Sequence, residues 1–291
     1  MPLSSSIVGA RSESFTAEIE PRWPMAYAAA LDDLLPCYMD TREPAKMIAH
    51  PMFPVCFEWP VVVAMRSSIQ VGELTREEAM RGVHATHELR IARPILPGET
   101  VTTRATIVAV ESRRAGAFEV MRLDSVDSAG APVCSSFYGA LYRGVPVAGP
   151  NKSIAAENPA PASTENNSPP LSTHTVHVGA GLAHIYTECA RIYNPIHTDA
   201  KVAHAAGLPA IILHGTATLA LAVSRLLNAS GANPARVRRI AGQFRAMVLL
   251  ASDITVRELA RADSGTGTAI SFDVLSAKGE SAISRGLLTL D

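Results

Sequence analysis

The sequence predicts an α+β protein made of one unit used twice, each copy an antiparallel sheet wrapped around a central helix. Three observations carry this expectation. A polar stretch divides the 291-residue chain near its middle, matching residues recur on both sides at one constant offset, and each side has one apolar helix-like run followed by strand-like runs.

The break is VPVAGPNKSIAAENPAPASTENNSPPL, residues 145–171. It is rich in Pro, Asn, Ser and Ala and has no apolar periodicity, so it reads as an exposed linker. The expected domains are 1–144 and 172–291, with 145–171 between them. The repeat is clearest where YAAALDDLLPCYMD (27–40) meets YTECARIYNPIHTD (186–199). Tyr27 matches Tyr186, Pro36 matches Pro195 and Asp40 matches Asp199, at an offset of 159 in every case (186 − 27, 195 − 36, 199 − 40).

Further on, IARPILPGETVTTRATIVAV (91–110) parallels FRAMVLLASDITVRELA (244–260). Both alternate apolar and polar residues around a short break, as a strand–turn–strand does. Pro97-Gly98 marks the first turn, and Leu250-Ala251 stands in its place in the second copy. Each half closes on two strand-like runs, AFEVMRLDSV and SSFYGALYR, then TAISFDVLS and SAISRGLLTL, with Gly130 or Gly279 in the turn. The helix expected in the second half is Thr216–Asn228, apolar on nearly every side and ended by Ser230-Gly231. Its counterpart is expected to begin near Trp59-Pro60 and run through VVVAMRSSI, with Pro60 in the first turn. A buried helix clasped by an antiparallel sheet is the hot-dog arrangement, here in tandem.

Composition narrows the function. At 47% hydrophobic and 18% charged residues the chain can bury real cores. A formal net charge of -1 gives no reason to expect nucleic acid or an anionic membrane as partner. No apolar run is long enough to span a bilayer. The start, MPLSSSIVGARSES, lacks the basic end and apolar stretch of a signal peptide, so the expectation is a cytoplasmic protein. Cys37, Cys56, Cys134 and Cys189 have no paired metal spacing and read as reduced residues in or near the core. No metal is expected.

The densest chemical signal is YNPIHTDAKVAHAAGLPAIILHGTATLALA, residues 193–222. It resembles the motif of the MaoC-like dehydratases and (R)-specific enoyl-CoA hydratases, in their double hot-dog form. That motif runs Ser/Thr-Gly-Asp-x-Asn-Pro-x-His-x-Asp, then Ala-Gly, then His-Gly at the start of the central helix. The matching residues are Asn194, Pro195, His197 and Asp199, then Ala206-Gly207, then His214-Gly215. The resemblance implies a lyase of fatty acid metabolism that interconverts 2-enoyl-CoA and (R)-3-hydroxyacyl-CoA. The acyl-CoA would be substrate, no cofactor would be needed, and the chains would form homodimers.

Hydration of a 2-enoyl thioester needs a base for water, an acid for the α carbon and donors for the thioester oxygen. His197 can be the base, because imidazole titrates near neutrality. Gly215, with Thr216, opens the apolar helix. Unsatisfied N–H groups there can hold an oxyanion, and glycine lets it come close. Asn194 shapes the turn that aims His197, and His214 braces the loop. Asp199 is expected to cap the helix that follows it. Tyr186 and Tyr193 are expected to be packing residues, and His84 and His87 to lie at a surface or strand edge.

One departure stands out. Where the family has its aspartate, two residues before Asn194, this chain has Ile192, and Arg191 replaces the preceding glycine. In the first copy Asp33 aligns with Ile192 and Tyr38 with His197, so each half keeps one member of the pair. The proton for the α carbon is then left to His197 itself, Glu188, Tyr193 or a water. The N-terminal half reads as a non-catalytic partner that accommodates the acyl chain and CoA. A hot-dog thioesterase and a non-catalytic acyl-binding subunit are the competing readings.

Overall fold

The computed structural model describes residues 1–154, 169–265 and 267–291. The first half contains β1 (Leu3–Ser4), β2 (Phe15–Glu18), α1 (Arg22–Ala30), α2 (Pro36–Met39), α3 (Pro54–Glu73) and α4 (Arg76–Met80). It continues with β3 (Gly82–Ile91), β4 (Thr100–Arg113), β5 (Gly116–Asp127), β6 (Pro132–Arg143), β7 (Val147–Ala148) and β8 (Lys152–Ser153). The second half contains β9 (Ser172–Val178), α5 (Leu182–Ala190), α6 (Ala200–Ala205) and α7 (Gly215–Ser230). It ends with β10 (Val237–Phe244), β11 (Ser252–Ser264), β12 (Gly267–Leu275) and β13 (Ser281–Leu290).

The large sheet runs β2-β4-β5-β6-β3-β10-β13-β12-β11-β9, with β8 beside β4. Read outward from its centre, the order repeats: β3 answers β10, β6 answers β13, β5 answers β12, β4 answers β11 and β2 answers β9. The halves meet where β3 pairs antiparallel with β10, Arg90 opposite Arg239 and His87 opposite Gly242. Each half wraps its sheet around one long helix, α3 or α7. This is the tandem hot-dog arrangement expected from the repeat.

The four closing runs are strands as predicted. Gly130 (φ 80°) and Gly279 (φ 76°) turn the two hairpins in the left-handed region that glycine enters without strain. The 91–110 and 244–260 runs are strand–turn–strand in sequence but not hairpins. β3 and β4 do not pair with each other, and neither do β10 and β11. At the turn where the second copy has lost its glycine, Ala251 itself takes φ 52°. The predicted linker is tied down at its start: Val145 is buried, β7 pairs with β1, and β8 with β4. Residues 155–168 of that stretch lie outside the described residues.

α7 is apolar on nearly every side because it is enclosed on nearly every side, with Arg225 exposed. Ala217 through Ser224, then Leu226 and Leu227, are buried. Ala and Leu dominate, and both favour the helix. Gly231 ends it in a left-handed conformation (φ 61°), its N–H returning to Asn228 and Leu227. The first-half helix differs from expectation. α3 starts at Pro54, which takes the first-turn role, so Pro60 lies in the helix interior. The backbone bond a residue there would donate is absent, and packing of Val61, Val62 and Met65 beneath β4 and β5 holds the helix instead.

One core spans both halves. Trp23, Tyr27, Phe53 and Phe57 pack in the same cluster as Tyr186, Leu219 and Phe272. Tyr27 and Tyr186, repeat mates, touch through their hydroxyls at 3.2 Å. Cys56 and Cys134 are buried and Cys37 and Cys189 half-buried, all four free. Among the described residues no helix is long and apolar enough to cross a membrane.

Candidate active site

A cleft of about 1600 Å³ opens between α7, the loop from Ile192 to His197, and the α3–β3 side of the first half. His197, His214, Gly215, Thr216 and Asn194 all line it, as does Ile192. The loop brings His197 there through local bonding. α5 stops at Arg191, which adopts φ 57°. Pro195 then opens a short 3-10 turn, Pro195–His197, in which the His197 N–H bonds to the Asn194 carbonyl. Asp199 ends the turn and caps α6, its side chain accepting from the N–H groups of Lys201 (2.8 Å) and Val202 (3.1 Å).

The orientation of the His197 ring is set by one bond. Nδ1 lies 2.8 Å from the Ile212 carbonyl oxygen. A carbonyl can only accept, so Nδ1 carries the hydrogen and the neutral ring presents Nε2 as a free lone pair. Burial pushes the His197 pKa down to about 4, against the pull of the Ile212 bond. The ring is therefore neutral at pH 7. His214 stacks on it, centroids 3.7 Å apart at 25°, and is held by Thr187 Oγ1 at 3.2 Å. Burial and the neighbouring His197 push His214 lower still.

Gly215 is the first residue of α7, and its N–H has no backbone acceptor among the described residues. A Cβ here would stand 3.0 Å from Phe244 Cδ1, so glycine also lets that ring close over the helix end. The Thr216 hydroxyl accepts from Tyr186 at 3.2 Å, and Tyr186 in turn meets Tyr27. The start of α7 is thus braced from both halves. A neutral base and a helix N-terminus with free donors share one cleft.

The first copy of this place is shut. Asp33 is buried and accepts from Asn228 Nδ2 at 3.3 Å. Beside it His50 accepts the Met52 N–H at Nδ1, which leaves its protonated Nε2 facing Ser224 Oγ (3.0 Å) and Asp33 (3.8 Å). Tyr38 packs against His50, and both are buried. Asp33 is not among the residues lining the His197 cleft.

Several expectations need correction. His84 and His87 are not at an edge: β3 is central, and both residues line the cleft, His87 only 3% exposed. Tyr193 is 59% exposed, because the turn before Pro195 points it out of the core. Glu188 sits exposed on α5, outside the cleft. Sequence reasoning also missed Glu58 and Arg66, which line the cleft from α3. Their signal was two charges inside an otherwise apolar helical run.

These buried groups govern acid stability. Burial lowers His50 (to about 3), His87 and His197 (each to about 4), and His84 and His214, all from 6.5. Such a group adds stability that is complete above its unfolded pKa and is lost as pH falls toward the folded value. Burial raises Glu58 to about 8 and Glu119 to about 7 from 4.5, so their contribution is lost as pH rises through those values. Five histidines outweigh two glutamates below pH 6.5. We expect the midpoint of thermal unfolding to peak near neutrality, fall steeply between pH 6.5 and 4, and decline gently toward pH 8. A scan of unfolding temperature against pH checks this, and a flat profile from 4.5 to 6.5 would contradict it.

The comparisons agree with this architecture. Residues 163–272 match the family model described as MaoC like domain, and residues 6–136 match FAS1-like, dehydratase domain region. A MaoC-like dehydratase from Phytophthora capsici superposes with a TM-score of 0.80 at 18% identity, covering 97% of this chain and 96% of that one. A Mycobacterium tuberculosis protein described as having a double hotdog fold superposes at 0.60 and 16% identity, over 97% and 95% of the two chains. At these identities the likeness is one of fold. Fatty acid synthase subunit beta of Aspergillus oryzae is 40% identical over 75 residues, which are 25% of this chain and 4% of that much longer one. The chain is thus similar to the MaoC-like domain over residues 163–272 and to a FAS1-like dehydratase region over residues 6–136, and it has the double hot-dog fold.

Proposed function

We propose that the protein adds water to 2-enoyl-CoA, giving (R)-3-hydroxyacyl-CoA, and catalyses the reverse. The observation that carries this is the His197 ring, neutral and fixed by Ile212, in one cleft with the free N–H of Gly215. In this reading His197 Nε2 takes a proton from water as the oxygen attacks the β carbon. Negative charge moves to the thioester oxygen, which the Gly215 N–H stabilises at the positive end of α7. Collapse of that enolate returns the proton from His197 to the α carbon. One imidazole serves as both base and acid, which suits a site with Ile192 in the place of a carboxylate. Asn194 and His214 position His197, and Thr216 steadies the helix start.

Exposed Arg114, Arg143, Lys201 and Arg245 along the cleft suit the phosphates of CoA. Hydration is redox-neutral, so the reaction as written calls for no redox cofactor. A homodimer of such chains in the cytoplasm completes the proposal.

Incubation with crotonyl-CoA tests it. Loss of the enoyl absorbance without free thiol is the expected result. Release of thiol would make the protein a thioesterase, and no change with any acyl-CoA would make it a binding subunit.

A further inference from the structure

The cleft does not end in an apolar pocket. From Gly215 it passes Phe244, whose ring meets His84 edge-on at 4.7 Å. His84 stacks on Tyr138, centroids 3.6 Å apart, and Arg66 lies over the same Tyr138 ring at 4.9 Å while donating to its hydroxyl at 3.0 Å. His87 stands edge-on to His84. All five residues after Gly215 in this chain of contacts line the same cleft.

The hydrogen-bonding of this end is unfinished. Neither ring nitrogen of His87 has a partner among the described residues, nor has Nε2 of His84. No carboxylate of the described residues lies within ion-pair distance of Arg66, whose side-chain partner is neutral Tyr138. Glu58, the carboxyl that lines the cleft nearby, is pushed up to about 8 by burial and is mostly protonated at neutral pH. Glu119, which senses Arg66, is pushed up to about 7 in the same way. The cleft therefore holds a guanidinium with no carboxylate in ion-pair contact, Glu119 acting on it only from farther off, and a set of idle ring nitrogens. A methyl-ended acyl chain reaching here would strip water from these groups and return no bond. A carboxylate would accept from the Arg66 fork and from a histidine N–H together.

We propose that this end of the cleft binds a carboxylate at the far end of the acyl group, so that the preferred substrates are CoA thioesters of unsaturated dicarboxylic acids. This rests on the acyl-CoA reading above. Binding tests it apart from turnover. Affinities would be measured calorimetrically for saturated pairs of equal chain length, one carboxyl-ended and one methyl-ended, such as glutaryl-CoA against valeryl-CoA and adipyl-CoA against hexanoyl-CoA.

In at least one pair the carboxyl-ended thioester is expected to bind tenfold or more tightly. Arg66→Met should abolish that preference, and Arg66→Lys should keep part of it, since the charge stays and the fork is lost. The native comparison stands even if a variant fails to fold. Equal or weaker binding of the carboxyl-ended members in every pair would overturn the proposal. So would a preference that survives Arg66→Met, or an Arg66→Met variant that weakens both members and free CoA alike, which would assign Arg66 to the CoA phosphates. Binding of no acyl-CoA at all would instead remove the reading on which the proposal rests.

Discussion

Replacing His197 with Ala is expected to lower crotonyl-CoA hydration by about 100- to 10,000-fold, the range that a positioned acid or base commonly supplies. The upper part of that range is the more natural expectation here, because one ring carries both proton transfers in the proposed reaction. Folding should survive the change. His197 sits in a short turn, and its ring bonds one loop carbonyl and stacks on His214, so its loss leaves a small void beside the cleft. Unfolding temperature measured beside activity separates the two effects. The pH profile gives an independent reading. With His197 at about 4, the acid limb of kcat/KM should fall near pH 4, not near the 6.5 of a free imidazole. Activity of the His197→Ala variant within a few-fold of native would remove His197 from the mechanism.

Ile192→Asp should work in the opposite direction, raising the rate by about tenfold or more, since a second acid–base group is worth up to the same range. Ile192 is 5% exposed and lines the cleft with His197 and His214. A carboxylate there would stabilise the imidazolium as it forms and could itself deliver the proton to the α carbon. The cost is a charge placed in a buried position, so the variant should unfold at lower temperature even as it turns over faster. Initial rates on crotonyl-CoA at saturating concentration decide the matter. If the native rate is typical of enzymes and Ile192→Asp lowers it, another donor already fills the role, and Glu58 would be the first to examine.

Much of this was legible in the sequence because it repeats. The offset of 159 placed Tyr27 opposite Tyr186, and the strands bounded by Gly130 and Gly279 appear where their alternation put them. The loop around His197 was legible because its bonding is local: Pro195, Asn194 and Asp199 act within five residues of the ring. What escaped was decided at long range. His84 and His87 looked like edge residues because nothing in their own segment shows that β3 has neighbours on both sides. That depends on β10, from the other half. Asp33 and His50 are 17 positions apart, yet they face each other, and each also bonds α7, Asp33 through Asn228 and His50 through Ser224. Pro60 misplaced the start of α3 because a proline fits a first turn by its local chemistry, while tertiary packing can hold one deeper in a helix.

The β3–β10 seam also bears on why the two units share one chain. Its partners are far apart in sequence, Arg90 and Arg239 for example, so the seam closes only at the entropic cost of ordering a long loop. Until it closes, each half presents a bare strand edge with unpaired N–H and C=O groups, which any other edge could join. Fusion supplies the correct edge at high effective concentration, so intramolecular closure outruns pairing with a stranger. Once it has closed, evolution is free to let the halves diverge: one copy could fill its site with Tyr38 and bury Asp33, while the other kept its cleft open, without the duplicate reappearing as an identical partner.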